Sequence, residues 1–264
     1  MQPTAQRKER IRLAQIRVLP EKGDLAANHR KLMSILGDLA RSSVDVVVTS
    51  ECFLDGYVAT EAAVDSEKLR KFAIDPSNDP LVTGVAQWAR EASAWFILGC
   101  SRSAPDGVYN SALIFDRQGQ LHGVYDKIHC QTHDRKFVPG RTLAAFDSDF
   151  GPFGVMICAD RRWPETVRSL ALQGARVLFN PTYGMHDDRN LRLMQTRSYE
   201  SEVFIAFTHP RQSLVTDPAG KILCNETAPH PAFSITEIDL SEADRVRTGP
   251  SAHLRDRRPD CYTP

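Results

Sequence analysis

A chain of 264 residues with 42% hydrophobic and 25% charged side chains has an ordinary globular balance and length enough to bury a core, which excludes disorder and a fibrous architecture. Its 33 Lys and Arg offset its 33 Asp and Glu, so no global field gathers nucleic acid or an anionic membrane, and neither partner is expected. No run is apolar for long enough to cross a bilayer, Met1 to Arg10 lacks the apolar centre of a secretion signal, and the six dispersed cysteines suit reduced thiols, so a cytoplasmic location is expected.

Along the chain, Ile11 to Ile16 alternates as an opening strand, and Asn28 to Ala40 sets Leu32, Ile35, Leu36 and Leu39 on one helical face. Val44 to Thr49 is a β-branched run of the kind found in buried strands. Leu81 to Ala92 reads as helix, Trp95 to Cys100 as strand, and Asn110 to Phe115 as a strand that turns at Asp116-Arg117-Gln118-Gly119 into Gln120 to Tyr125. Phe153 to Ile157 reads as strand, Pro164 to Gln173 as helix with proline in its first turn, and Val177 to Phe179 as strand. Leu191 to Glu202 then reads as helix and Val203 to Thr208 as strand. Strands alternating with helices, some strands joined by tight turns, indicate the α/β class with mixed sheets covered by helices. No repeat or linker is visible, so one domain over 1–264 is expected, with roughly 241–264 as a C-terminal surface extension.

Three positions stand out as candidates for chemistry. Cys158 ends an apolar strand and precedes the helix-opening Ala159-Asp160-Arg161-Arg162-Trp163-Pro164-Glu165, so a helix dipole and nearby arginines favour its thiolate. The bland alternative is a small buried core residue. A thiolate that attacks an amide also needs a proton acceptor and a positive group near the oxygen that gains charge. Glu51 follows the run Val44 to Ser50 and would emerge at a strand's carboxyl end, the usual edge for sites in α/β sheets. Lys127 follows Gln120 to Tyr125 in the same way; taken singly, each would be a surface charge.

Together the segments Ser50-Glu51-Cys52-Phe53-Leu54-Asp55-Gly56-Tyr57, Tyr125-Asp126-Lys127-Ile128-His129 and Ile157-Cys158-Ala159-Asp160-Arg161-Arg162-Trp163-Pro164-Glu165 resemble the nitrilase (carbon-nitrogen hydrolase) superfamily. The likeness extends through Tyr109-Asn110-Ser111-Ala112, Pro139-Gly140, Asn180-Pro181, Asp217-Pro218-Ala219-Gly220 and Arg257-Arg258-Pro259. It implies a four-layer α-β-β-α sandwich, assembly into homodimers or larger homo-oligomers, no metal or organic cofactor, and a catalytic triad of Glu51 as base, Lys127 as oxyanion stabiliser and Cys158 as nucleophile. It also implies a second acid shortly after the lysine, where this chain has the shorter Asp134, and an oxyanion contact from the backbone amide of Ala159.

Locally, Cys158 to Thr166 looks most like the N-carbamoyl-D-amino acid amidohydrolases, in which two adjacent arginines hold the substrate carboxylate. On that likeness Arg161, Arg162 and His129 are substrate-binding candidates, and a guanidinium suits a carboxylate through two parallel hydrogen bonds. The competing arrangement pairs Arg161 and Arg162 with Asp160 and Glu165. The expected reaction is cleavage of a non-peptide C–N bond in a small linear amide or N-carbamoyl compound bearing a carboxylate, with release of ammonia. The stretch from Lys127 to Pro139-Gly140 is shorter than the corresponding carbamoylase loop, which counts against a simple transfer of substrate. Nitrile hydrolysis by the same triad is an alternative, as is a catalytically silent binding module. A further rival is a zinc site built from His129, Cys130, His133 and Asp134.

Overall fold

The computed structural model describes residues 7–262. A first half contains β1 (Arg10–Ile16), α1 (Leu25–Leu39), β2 (Val46–Val48), α2 (Ser66–Leu69), α3 (Pro80–Ala92), β3 (Trp95–Ala104), β4 (Gly107–Phe115) and β5 (Leu121–Asp126). A second contains β6 (Phe153–Val155), α4 (Pro164–Leu172), β7 (Val177–Pro181), α5 (Asp188–Ser201), β8 (Phe204–His209), β9 (Gln212–Thr216) and β10 (Ile222–Glu226), and β11 (Phe233–Asp239) and α6 (Ser241–Thr248) follow. Two sheets result, one in the order β11-β1-β2-β3-β4-β5 and the other in the order β10-β9-β8-β7-β6. Within the first, β1, β2 and β3 are parallel neighbours; within the second, β6, β7 and β8 are, and antiparallel strands continue each sheet.

Successive residues of a strand face opposite sides of the sheet, and the burial of this chain follows that period. Ile11, Leu13, Val46, Val48, Ile97 and Ile114 turn inward against Phe153, Val155, Val177, Phe179, Phe204 and Ala206 of the other sheet. Their neighbours Ala14, Ile16, Val47, Phe96, Leu98 and Leu113 turn outward, where Leu32, Leu36 and Leu39 of α1 and Val82, Val85 and Trp88 of α3 cover them. On the far side, Val167 and Leu170 of α4 and Met194 of α5 cover Leu178, Ile205 and Phe207. These are the four layers α-β-β-α expected from the resemblance. Gln15 of β1 ties the two sheets with a polar link, its Nε2 donating to Phe207 O at 2.8 Å and Thr208 Oγ1 at 2.9 Å.

Apart from the short α2 of the first half, the two sheets repeat one plan, β-α-β-α-β followed by two antiparallel strands, although no repeat is visible in the sequence. The stretch read as a surface extension begins with α6, whose Ala243 is buried together with Ala252 beyond it.

Candidate active site

The parallel strands β2, β6 and β7 deliver their carboxyl-terminal loops to one edge of the sandwich, which is where sites form in α/β sheets. Beyond β2 the chain passes so close to β3 that a Cβ on Gly99 would stand 2.1 Å from Ser50 O; glycine there lets the loop carrying Glu51 settle onto the sheet. Gly140 plays the same part for Lys127. Its N–H donates to Lys127 O at 2.8 Å, and a Cβ would meet Asp126 O at 2.1 Å.

Glu51 is fully buried with both carboxylate oxygens engaged. Oε1 accepts from Lys127 Nζ at 2.7 Å and from Asn110 Nδ2 at 2.8 Å, and Oε2 accepts from the backbone N–H of Tyr183 at 3.0 Å. Lys127, 1% exposed, donates a second hydrogen bond to Asp134 Oδ2 at 2.5 Å. The other Asp134 oxygen accepts from the Tyr57 hydroxyl, which in turn lies 3.1 Å from His133 Nε2.

One ammonium thus stands between two buried carboxylates. Burial favours loss of the lysine proton, but the charges of Glu51, Cys158 and Asp134 outweigh it and hold Lys127 well above the usual lysine range. Burial, then the charge of Glu51, pushes the Asp134 carboxyl up, against the pull of Lys127. Burial and the same two carboxylates push Tyr57 well up, so it remains a hydrogen-bond donor.

Cys158 stands beyond β6 with φ 45°, a left-handed conformation that costs a non-glycine residue energy. Cys52, Tyr57 and Thr132 around the same site share it, with φ 46°, 56° and 51°. Cys158 begins a five-residue 3-10 helix, Cys158–Arg162, and α4 starts only at Pro164, so the dipole of α4, which fades within a turn, is not what acts on the sulfur. Lys127, Asp134, Cys158, Ala159 and Arg162 line one cavity of about 160 Å³, walled further by Tyr57, His133, Tyr183 and Met185. A methyl on Gly184 would stand 3.6 Å from Cys158 Sγ, which places the loop after β7 against the sulfur.

The other sequence candidates fall in different places. Arg162 is exposed at the cavity and donates to Gln131 Oε1 at 3.0 Å. Arg161 is fully buried outside the cavity lining; it pairs with neither Asp160 nor Glu165, and its guanidinium turns toward Cys158 O and Asn190. His129 also lies outside the lining. Its Nδ1 is 2.7 Å from Asp160 Oδ1, and its ring stacks on Trp163 at 4.0 Å. Asp160, fully buried, accepts as well from His129 N, Ile157 N and the Tyr125 hydroxyl, so it fastens the Lys127 loop to the Cys158 loop.

The suggested zinc ligands are dispersed. His129 faces Asp160, His133 faces Tyr57, Asp134 holds Lys127, and burial pushes the Cys130 thiol up to about 12. Among the described residues no group of three or more His, Cys, Asp or Glu side chains could hold a metal ion. None of their helices is long and apolar enough to cross a membrane. Sequence reasoning assigned no part to Asn110, Tyr57 or Tyr183, though Asn110 and Tyr57 lie in segments that carry the family resemblance and Tyr183 follows Asn180-Pro181 by two residues. Their nearness to strand ends was the only available signal.

Residues 10–248 match the family model described as carbon-nitrogen hydrolase. Relatives include a protein named nitrilase from Pyrococcus abyssi, 26% identical over 96% of this chain and 99% of that protein. Another is the N-carbamoylputrescine amidase of Arabidopsis thaliana, 26% identical over 90% of each chain. Among solved structures, Saccharomyces cerevisiae Nit3, a member of branch 10 of the nitrilase superfamily, superposes with a TM-score of 0.81 at 22% identity, covering 95% of this chain and 98% of its own. A carbon-nitrogen hydrolase from Helicobacter pylori G27 gives 0.82 at 20% identity, covering 96% and 97%.

Proposed function

The chain belongs to the carbon-nitrogen hydrolase family, within the nitrilase superfamily, and from that premise we propose that it cleaves a small linear amide or N-carbamoyl compound bearing a carboxylate, through a thioester on Cys158. The observation that supports this most is the meeting of Cys158, Lys127 and Asp134 on one cavity, with Glu51 bonded to Lys127 behind it.

Glu51 takes the thiol proton as the sulfur adds to the carbonyl carbon, and the electron pair of the C=O bond moves to oxygen. The Lys127 ammonium and the backbone amide of Ala159 hold that oxyanion. On collapse the C–N bond breaks, Glu51 returns the proton to nitrogen, and ammonia leaves. Water then gives a proton to Glu51 as it adds to the thioester carbon, and the acid departs as the thiol is restored. Asp134 keeps Lys127 charged and in place throughout.

A cavity of about 160 Å³ is small beside the roughly 300–1,000 Å³ of pockets for larger ligands, which favours a short substrate. Among the described residues the Arg162 guanidinium meets the neutral Gln131 at the cavity and no carboxylate, so it is available to clamp a substrate carboxylate. His129 has its Nδ1 engaged by Asp160 and lies outside the cavity lining, which favours Arg162 over it as the substrate contact. Nitriles are the second substrate class, favoured by the nitrilase of Pyrococcus abyssi among the relatives.

The test is ammonia release from a panel of carbamoyl amino acids, amides and nitriles, with Cys158→Ala as control. Turnover of a short carboxylate-bearing amide or carbamoyl compound is expected, lost in the variant. Equal behaviour of the two proteins on every compound would sink the enzymatic reading and leave a silent binding module.

A further inference from the structure

A guanidinium taken out of water needs negative charge nearby. Three arginines are buried among the described residues, and two have carboxylate partners: Arg176 meets Glu9 and Asp244, and Arg17 lies 3.9 Å from Glu226. Arg161, at 0% exposure, is the exception, with no carboxylate oxygen of the described residues within 4.0 Å.

Its acceptors are neutral. Nε donates to Asn190 Oδ1 at 2.7 Å, Nη2 to Met185 O at 2.8 Å and Nη1 to Cys158 O, while its face lies over the Phe207 ring at 5.2 Å. Nη1 also stands 3.6 Å from Cys158 Sγ. Burial, the nearby His186 and the charge of Arg161 help push His209 down to about 4, so that neighbour adds no second cation. From α5, Arg197 donates to Arg161 O at 3.1 Å and Arg162 O at 2.7 Å, and Asn190 lies on the same helix, so α5 grips the segment at both ends.

We propose that Arg161 is the positioning residue of the nucleophile: it holds the carbonyl of Cys158 in its left-handed conformation and supplies the buried positive charge that the sulfur faces when its proton passes to Glu51. This rests on Cys158 being the nucleophile. It assigns the two adjacent arginines different tasks, Arg162 toward the substrate and Arg161 toward the enzyme's own sulfur.

The experiment uses Arg161→Gln, Arg161→Lys and Asn190→Ala, each first checked by thermal melting. Two readouts follow: the rate of Cys158 alkylation by iodoacetamide at neutral pH, and kcat and KM on a neutral and a carboxylate-bearing amide. Arg161→Gln is expected to slow alkylation about tenfold or more and to lower kcat equally on both substrates, with KM nearly unchanged. Arg161→Lys should recover part of both losses, and Asn190→Ala, which keeps the charge but loosens its seat, should fall between wild type and Arg161→Gln.

A rise in KM for the acidic substrate alone, with alkylation unchanged, would overturn the proposal in favour of a substrate contact. Unchanged alkylation and kcat in the folded variants would overturn it outright. Where Arg161→Gln does not fold, Arg161→Lys and Asn190→Ala decide by the same readouts. An active Cys158→Ala protein would instead refute the proposed function, and alkylation separates that failure from this one.

Discussion

The two halves of the molecule follow one plan of strands and helices but carry different chemical loads. The first, through the loops after β2 and β5, supplies Glu51, Lys127 and Asp134, all buried, with both carboxylates already bonded to the lysine. The second, through the loops after β6 and β7, supplies a sulfur, the amide of Tyr183 that meets Glu51, and Arg161, which has no carboxylate oxygen of the described residues within 4.0 Å. The charged network is therefore assembled within one sheet, whereas the sulfur arrives from the other. What unites them is the apolar layer between the sheets, with Phe153, Phe179 and Phe204 on one side and Val46, Val48 and Ile97 on the other.

That division can be broken from either side. Lys127→Met is expected to have the largest effect, because it leaves two carboxylates buried without their cation. Activity should vanish and stability should fall by about 3–5 kcal/mol, read by denaturant titration. A variant as stable as wild type would mean that the network is not the preformed unit described. Phe153→Ala, in the layer between the sheets, should cost a comparable or smaller amount, about 3–5 kcal/mol at most, and leave measurable turnover. If it instead abolished turnover in folded protein while the melting temperature barely moved, the layer would be acting on the chemistry rather than joining the halves.

The smallest effect concerns Asp55, buried in the loop that carries Glu51, where Oδ2 accepts from Ser101 N and Oδ1 from Val58 N. Burial pushes its carboxyl up to about 6, against the lowering by those amides. The folded state then keeps this proton up to about pH 6, while the unfolded chain releases it near pH 4. Between those values the native state binds more protons, so this group's contribution falls as pH rises from about 4 to 6 and is level above. Melting temperatures across pH 4 to 7 should show that slope in wild type minus Asp55→Asn; parallel curves would contradict it.

The apolar skeleton was legible because its signals are periodic. The alternation in Ile11–Ile16, the β-branched run Val44 to Thr49 and the helical spacing of Leu32, Leu36 and Leu39 each correspond to a face that meets another layer. The strands β9, β10 and β11 went unread for two different reasons. β9 is wholly buried but contains Gln212, Ser213 and Thr216, polar residues that leave no hydrophobic pattern. β10 and β11 lie at sheet edges and are largely exposed or half-buried, so their sequences show little contrast.

The site divides the same way. Glu51, Lys127 and Cys158 could be picked out through the family resemblance of their motifs, but Asn110 and Tyr183 hold Glu51, and Tyr57 holds Asp134, through hydrogen bonds that carry no sequence period. Nor could spacing foretell that of two neighbouring arginines one would line the cavity and the other turn inward.

The central claim, that the sulfur of the second half forms a covalent link to substrate under the control of the first, is tested most directly by quenching the enzyme in acid during turnover and locating any added mass by peptide mass spectrometry. The expected result is the substrate's acyl group, its nitrogen lost, on the peptide containing Cys158, and no such mass in Glu51→Gln. An acyl group on Cys52 or Cys130 instead, or one formed equally well without Glu51, would contradict it.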